Sequence, residues 1–266
     1  MGRINAQDSR GTIKKTMFFD VISSGSKGNA TLVFTEENIF LIDLGIASSS
    51  LETELALFNK KITDITALFV THNHTDHIKG LKAISPKKQF ALDGTLPSEL
   101  SNVMEINKPV LFGNDKIIAF PTEHDAINPC GFMIEADGEK LVYMTDTGVY
   151  LSINNELVHN PQYLIIESNH DVKMLMNTNR PIELKQRILS EHGHLCNEDS
   201  AFAALEIIGK DTKEIVLAHL SEEANTPETA LAAYEKVFRF KHVNVQRYKI
   251  RCANQWTHLI GGNYED

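Results

Sequence analysis

The chain has 266 residues, 42% hydrophobic and 23% charged, with 26 Lys and Arg against 35 Asp and Glu and a formal net charge of -9. That is apolar material enough for a sizeable core, and the negative balance excludes a surface that attracts polyanions everywhere, so any nucleic-acid contact must be local. Cys130, Cys196 and Cys252 are scattered without a CxxC pair, which excludes a disulfide framework or a thiolate zinc site and points to a reducing compartment.

Residues 1–16, MGRINAQDSRGTIKKT, are polar and aperiodic. They read as a flexible leader, with residues 17–266 as a single domain beginning at Met17. No apolar run approaches the roughly 18 to 20 residues that span a bilayer, and the N-terminus lacks a signal-peptide core, which together predict a cytoplasmic protein without membrane contact. Apolar runs predict strands at 17–22, 31–34, 39–42 and 66–70, and SSSLETELALFNK at 48–60 has helical spacing. A short helix is predicted over IKGLKAI, 78–84. Further strands are predicted at 89–91, 109–112, 116–120, 131–135, 140–144, 163–167, 214–218 and 243–248, and helices at 171–177, 182–190, 198–208 and 227–238. Strands dominate the first half and alternate with helices in the second, the pattern of two sheets with helices packed outside.

Directly after the predicted strand at 66–70 stands THNHTDH, with His72, His74, Asp76 and His77 in six positions. Alternation at a strand end sends His72 and His74 to one side, and the following loop can turn Asp76 and His77 toward a neighbouring point. One tetrahedral zinc would not need all four side chains; two ions about 3.5–4 Å apart would divide them and recruit ligands from other strand ends. Such ligands follow apolar strands at His124 in FPTEHDA, Asp146 in YMTDTG and His219 in VLAHL. Each alone could be a turn or capping residue. Asp146 carries two oxygens and can bridge two cations while offsetting their repulsion.

Together these residues resemble the HxHxDH motif, later histidine, bridging aspartate and last histidine of the metallo-β-lactamase superfamily, over essentially the whole chain from Met17. The resemblance implies an α/β fold, a four-layer αββα sandwich, with two divalent metal ions, Zn or Mn, at its sheet edges. It assigns His72, His74, His124 and Asp146 to one ion, and Asp76, His77, Asp146 and His219 to the other. Antibiotic-hydrolysing lactamases usually lack the bridging aspartate, and flavodiiron proteins put glutamate where His74 stands. Glyoxalase-type thioesterases usually add a helical C-terminal domain. SSGSKGN at 23–29, IESNHD at 166–171, GHLCNEDS at 193–200 and LAHLSEEAN at 217–225 instead resemble the YycJ/WalJ-type branch, associated with DNA exonuclease activity. That branch usually has serine where Cys196 stands.

Glu167 and His194 follow the metal motifs in an order similar to the acidic and histidine motifs of β-CASP and ribonuclease Z nucleases, where a carboxylate-oriented histidine serves the leaving group. The plain alternative is that Glu167 caps the next helix and His194 sits in a turn. His170 could contact phosphate, assist His194 or only begin a helix. SSGSKGN could wrap backbone N–H groups around a phosphate, making Ser24, Ser26, Lys27 and Asn29 substrate candidates. The segment from Lys236 to Arg251 carries six basic residues and no acid, so Lys241, Arg247 and Lys249 are candidate DNA contacts, or simply the wet face of a strand. The expectation is a dinuclear phosphodiester hydrolase, a DNA exonuclease in which a metal-bridging hydroxide is oriented by Asp76 and RNA is a possible substrate. The alternatives are a small-molecule phosphodiesterase and a regulatory metal-binding protein.

Overall fold

Apolar runs such as IFLI and ALFV have no polar face to offer water. Both are strands buried along their whole length in the computed structural model, which describes residues 17–255 and 258–264. The leader expected at 1–16 lies outside the described residues. The first sheet contains β1 (Phe18–Ser23), β2 (Ala30–Phe34), β3 (Ile39–Ile42), β4 (Ala67–Val70), β5 (Gln89–Leu92) and β6 (Asn102–Met104) in sequence order. The second is built from β7 (Pro109–Phe112), β8 (Asp115–Pro121), β9 (Cys130–Ala136), β10 (Glu139–Met144), β11 (Tyr163–Glu167), β12 (Glu214–Ala218) and β13 (Lys249–Cys252), again in sequence order. Last in the chain, β14 (Leu259–Gly262) returns to the first sheet and pairs antiparallel with β1.

Strand alternation divides the apolar residues among three layers of packing. Phe19, Val21, Phe40 and Phe69 of the first sheet meet Phe132, Ile134, Ile165 and Val216 of the second; burying each such side chain is worth about 1.5–3 kcal/mol. On the outer face of the first sheet, Leu32, Leu41 and Leu68 pack under Leu51 and Leu55 of α1 (Ser48–Leu57). A one-turn α2 (Thr75–Ile78) and a one-turn α3 (Asn155–Val158) follow, then α4 (Val172–Asn177) and α5 (Ile182–Ile188). The outer face of the second sheet is covered by α6 (Asn197–Ile207) and α7 (Pro227–Phe240), through Ala201, Ala204, Tyr234 and Phe238. The result is the expected α/β architecture, a four-layer αββα sandwich.

Five elements differ from expectation. The strand predicted at 243–248 lies instead at β13, because Asn244 caps a turn of 3-10 helix, its side chain accepting from Gln246 N at 3.1 Å, and Val243 and Val245 pack sideways into the outer core. The helix predicted at 78–84 begins earlier, inside the histidine motif, and breaks at Gly80, whose N–H donates to Leu44 O at 2.7 Å. Strands β6 and β14 and helix α3 were not foreseen.

Parallel pairing from β3 through β6 and from β10 through β13 aligns the carboxyl ends of those strands. Because β9 runs antiparallel to both β8 and β10, β8 shares their direction. Open α/β sheets bind their ligands at such carboxyl ends.

Candidate metal centre

The candidate site residues gather where strands stop, with Asp76 and His77 in α2 just beyond β4. His72 follows β4, His124 follows β8, Asp146 follows β10, Glu167 ends β11 and His219 follows β12. Asp146 and His219 leave their strands at φ 54° and 56°, and Asp43, just after β3, at φ 57°. Such left-handed backbone costs on the order of 1–2 kcal/mol for an L-residue and is best tolerated by residues of this type. Here it folds three side chains back over the sheet ends.

Donor atoms of His72, His74 and His124 lie within 4.8 Å of one another, as do those of His72, His77 and Asp146, and of Asp76, His77 and His219. Asp146 sits among them, Oδ2 3.4 Å from His77 Nε2 and Oδ1 3.9 Å from His124 Nε2. His72 Nε2, His219 Nε2 and Asp146 Oδ2 are buried without a hydrogen-bond partner. Unpaired buried lone pairs of nitrogen and carboxylate oxygen are what a divalent cation would satisfy, so the donor set fits the expected ions.

In four of the five candidate-ligand rings, all but His74, the other nitrogen is held by oxygen. His77 Nδ1 is 2.7 Å from Asp43 Oδ2, His124 Nδ1 donates to Gly193 O at 3.0 Å, and His219 Nδ1 is 2.8 Å from Glu167 Oε1. His72 Nδ1 is 3.0 Å from Thr71 Oγ1, whose hydroxyl donates in turn to Asp43 Oδ2 at 2.9 Å. Occupied Nδ1 positions fix the tautomer and turn Nε2 toward the cluster. Asp43 was missed in the sequence reading, although an aspartate directly after the buried run IFLI carries the same signal as the ligands themselves.

The cluster's charges suit cations. Burial opposes ionisation of Asp146, yet His219 and His77 hold its carboxyl well below the usual range. Burial likewise opposes protonation of His77, but Asp43 and Asp146 raise it to about 9; Asp146 and Glu167 raise His219 to about 10 against the same opposition. Without cations the acidic neighbours favour protonated rings here, and a bound cation would take the place of those protons.

Glu167 is fully buried and caps no helix; that role at α4 belongs to Asp171, which accepts from Met174 N at 2.9 Å. Its Oε1 is 2.8 Å from His194 Nδ1, and its Oε2 accepts from Thr147 N and Leu195 N at 3.1 Å each. Burial pushes the Glu167 carboxyl up, but His194 and His219 outweigh it and hold it at about 2. His194 lies in the wall of a cavity of about 210 Å³ that also contains His74, Asp76, His124, Asp146 and His219. His170 is buried nearby, both ring nitrogens unpartnered, and burial lowers it to about 4. Cys196 caps α6, Sγ accepting from Asp199 N at 3.4 Å, so the thiol takes over a capping contact a serine would make.

Of the SSGSKGN candidates, only Ser26 lines the cavity. Ser24 Oγ accepts from His219 N at 2.7 Å and so braces that residue from behind, while Asn29 holds Gly25 and puts Nδ2 3.0 Å from His77 Nε2, on the side of the ring that faces the cluster. Lys27 pairs with Glu222 at 2.6 Å. The structure also keeps Lys241, Arg247 and Lys249 away from the cluster. Lys249 registers with Glu214, the first residue of β12, whereas His219 follows the last, roughly 15 Å along the strand. Lys241 closes the far end of α7, its Nζ 5.6 Å from the Phe202 ring, and Arg247 donates to Lys210 O at 2.8 Å. The cations at the cavity are Arg180 and Arg187, flanking and closing α5, paired with Glu223 and Asp125. No motif marks them in the sequence.

A sequence model of the β-lactamase superfamily domain matches residues 40–220. The chain is 33% identical over 242 residues to the exodeoxyribonuclease YycJ of Bacillus anthracis, covering 86% of this chain and 92% of that one. It is 34% identical over 229 residues to the exodeoxyribonuclease WalJ of Streptococcus pneumoniae serotype 2, covering 80% and 84%. Among solved structures it is similar to the metallo-β-lactamase fold protein YhfI of Bacillus subtilis, with TM-score 0.68 at 16% identity over 92% of this chain and 99% of that one. A diphosphatase of the PhnP family gives TM-score 0.61 at 16% identity over 92% and 97%. Fold, ligand cluster and sequence identity agree: the chain belongs to the metallo-β-lactamase superfamily of metal-dependent hydrolases, in the branch of YycJ and WalJ.

Proposed function

We propose that the protein removes nucleotides from DNA ends by hydrolysing phosphodiester bonds at a dinuclear centre. One zinc or manganese ion would be held by His72, His74, His124 and Asp146, the other by Asp76, His77, Asp146 and His219. When bound, such ions polarise the phosphate and acidify water.

The observation that carries the reading is the Glu167–His194 pair at the cavity wall. Hydrolysing a DNA phosphodiester expels an alkoxide, which needs a proton. Glu167 holds Nδ1–H of His194, leaving Nε2 free to carry that proton into the cavity. Asp76, itself one of the proposed ligands and with a side chain 24% exposed, orients the attacking water. Arg180 and Arg187 attract the phosphates flanking the scissile bond. DNA as substrate rests on the two relatives named exodeoxyribonucleases. No helix among the described residues is long and apolar enough to cross a membrane; the cytoplasm as compartment belongs to the proposal.

A small-molecule phosphodiesterase is the second reading, favoured by the acidic partners that already neutralise Lys27, Arg180 and Arg187 around the cavity. Purified protein with zinc or manganese, given end-labelled single-stranded and duplex DNA, RNA and a nitrophenyl phosphodiester, separates the two. Release of mononucleotides from DNA ends supports the proposal; turnover of the small ester alone supports the second reading.

A further inference from the structure

Asp20 stands on β1 between Phe19 and Val21, which face the core between the sheets, so alternation sends it outward with Phe18 and Ile22, toward α1. There it is fully buried, and neither carboxylate oxygen has a hydrogen-bond partner. Glu54 of α1 reaches the same place, its Oε2 also buried and unpartnered. His258, just before β14, puts Nδ1 3.5 Å from Asp20 Oδ1 and 3.5 Å from Glu54 Oε2.

Other buried carboxylates in this chain are provided for. Asp43 is met by Thr71 and His77, and Glu167 by two backbone N–H groups and two imidazoles. Asp20 has only an imidazole that is 41% exposed and too distant for a good hydrogen bond. Burial pushes its carboxyl up to about 6 against the pull of His258, and Glu54 adds to the rise. A separation of 3.5 Å is, however, close to the distance of about 3.3 Å between two ligands each about 2.0 Å from a tetrahedral zinc.

We propose that Asp20, Glu54 and His258 form a further Zn²⁺ site on the outer face of the first sheet, apart from the centre at the strand ends. Two carboxylates and one imidazole supply three ligands of the types zinc accepts, and the exposed side of His258 leaves the fourth position to water. Since the ligands come from β1, α1 and the residue before β14, the ion ties the helix and the last strand to the first strand.

Equilibrium dialysis of metal-stripped full chain against zinc, with bound zinc counted per chain, tests the site. His258→Gln, at an exposed position that folding tolerates, and Asp20→Asn are each expected to bind one equivalent fewer than the unaltered chain. Their zinc-dependent rise in Tm should be smaller. The same one-equivalent difference is expected when His258→Gln is added to Asp146→Ala, because the lost ion does not belong to the strand-end centre. Equal zinc content with and without His258→Gln in both backgrounds overturns the site and leaves an ion pair.

Discussion

His194 and His219 share one acceptor: Nδ1 of each lies 2.8 Å from the same oxygen, Oε1 of Glu167. A single buried carboxylate therefore holds both the proposed metal ligand and the proposed proton donor, which would couple metal affinity to catalysis. Glu167→Gln removes the charge that holds both rings and can offer its one amide oxygen to both only weakly. Loss of such a supporting partner commonly costs about 10–100-fold in metal affinity or activity. Both should fall here, read as the zinc concentration for half-occupancy and as turnover at saturating metal; a variant altered in neither would mean that the shared contact does no work.

Gly45 is fixed by close approach. A Cβ there would lie 1.6 Å from Asp76 O, between loops joined by Asn29 N donating to Asp76 O and Leu44 N to His77 O at 2.8 Å each. Gly45→Ala must push the histidine motif away from β3, an overpacking cost of about 1–3 kcal/mol. The expected signature is a lower Tm together with loss of bound metal at Asp76 and His77. An unchanged Tm and metal count would show that the loops separate freely.

Metal stabilisation should grow with pH. Burial disfavours the charged forms, but acidic neighbours raise His77 to about 9 and His219 to about 10 from the ordinary 6.5. A raised folded-state value contributes stability that is complete below 6.5 and is lost as pH climbs through 9 and 10. Burial lowers His72 and His124, so their contributions act below 6.5 instead. Ligation needs the rings neutral. The Tm of metal-free protein should thus fall between pH 6.5 and 10 while that of loaded protein holds, widening the gap; a gap that narrows over this window contradicts the assignment.

For DNA, the cavity arginines are better placed than the basic C-terminal segment. Arg180→Ala and Arg187→Ala should weaken DNA binding and lower the slope of log affinity against log salt by about one per lost phosphate contact. Arg247→Ala and Lys249→Ala, at the opposite end of the second sheet, should leave the slope nearly unchanged. Filter-binding or anisotropy titrations at several salt concentrations read this directly, and the reverse ranking would move the DNA path to the far end.

The candidate ligands stood out because metal chemistry restricts residue type and because His72, His124, Asp146 and His219 each follow a buried strand, so that two signals coincide there. Asp43 carried the second signal without a motif and was passed over. Arg180 and Arg187 had neither, since a rim cation is defined only once α5 is folded against the strand ends. The basic segment was misjudged in space: alternating VNVQRY supports a strand in either of two registers, and only the cap made by Asn244 shifts pairing to Lys249. Strand β14 is LIGG, with little β propensity. It exists because Gly261, where a Cβ would meet the Phe19 ring at 2.3 Å, lets the chain lie against β1.

The most direct test compares His194→Ala on two substrates at equal metal content. If His194, held by Glu167, donates the proton to the leaving oxygen, DNA cleavage should fall by about 10²–10⁴-fold, the usual worth of general acid catalysis. Hydrolysis of a phosphodiester that releases nitrophenolate, which needs no proton, should fall far less. Metal content should match the unaltered chain. Equal losses on DNA and the nitrophenyl ester, with both ions retained, would contradict the proton-donor role and leave His194 as a positioning residue.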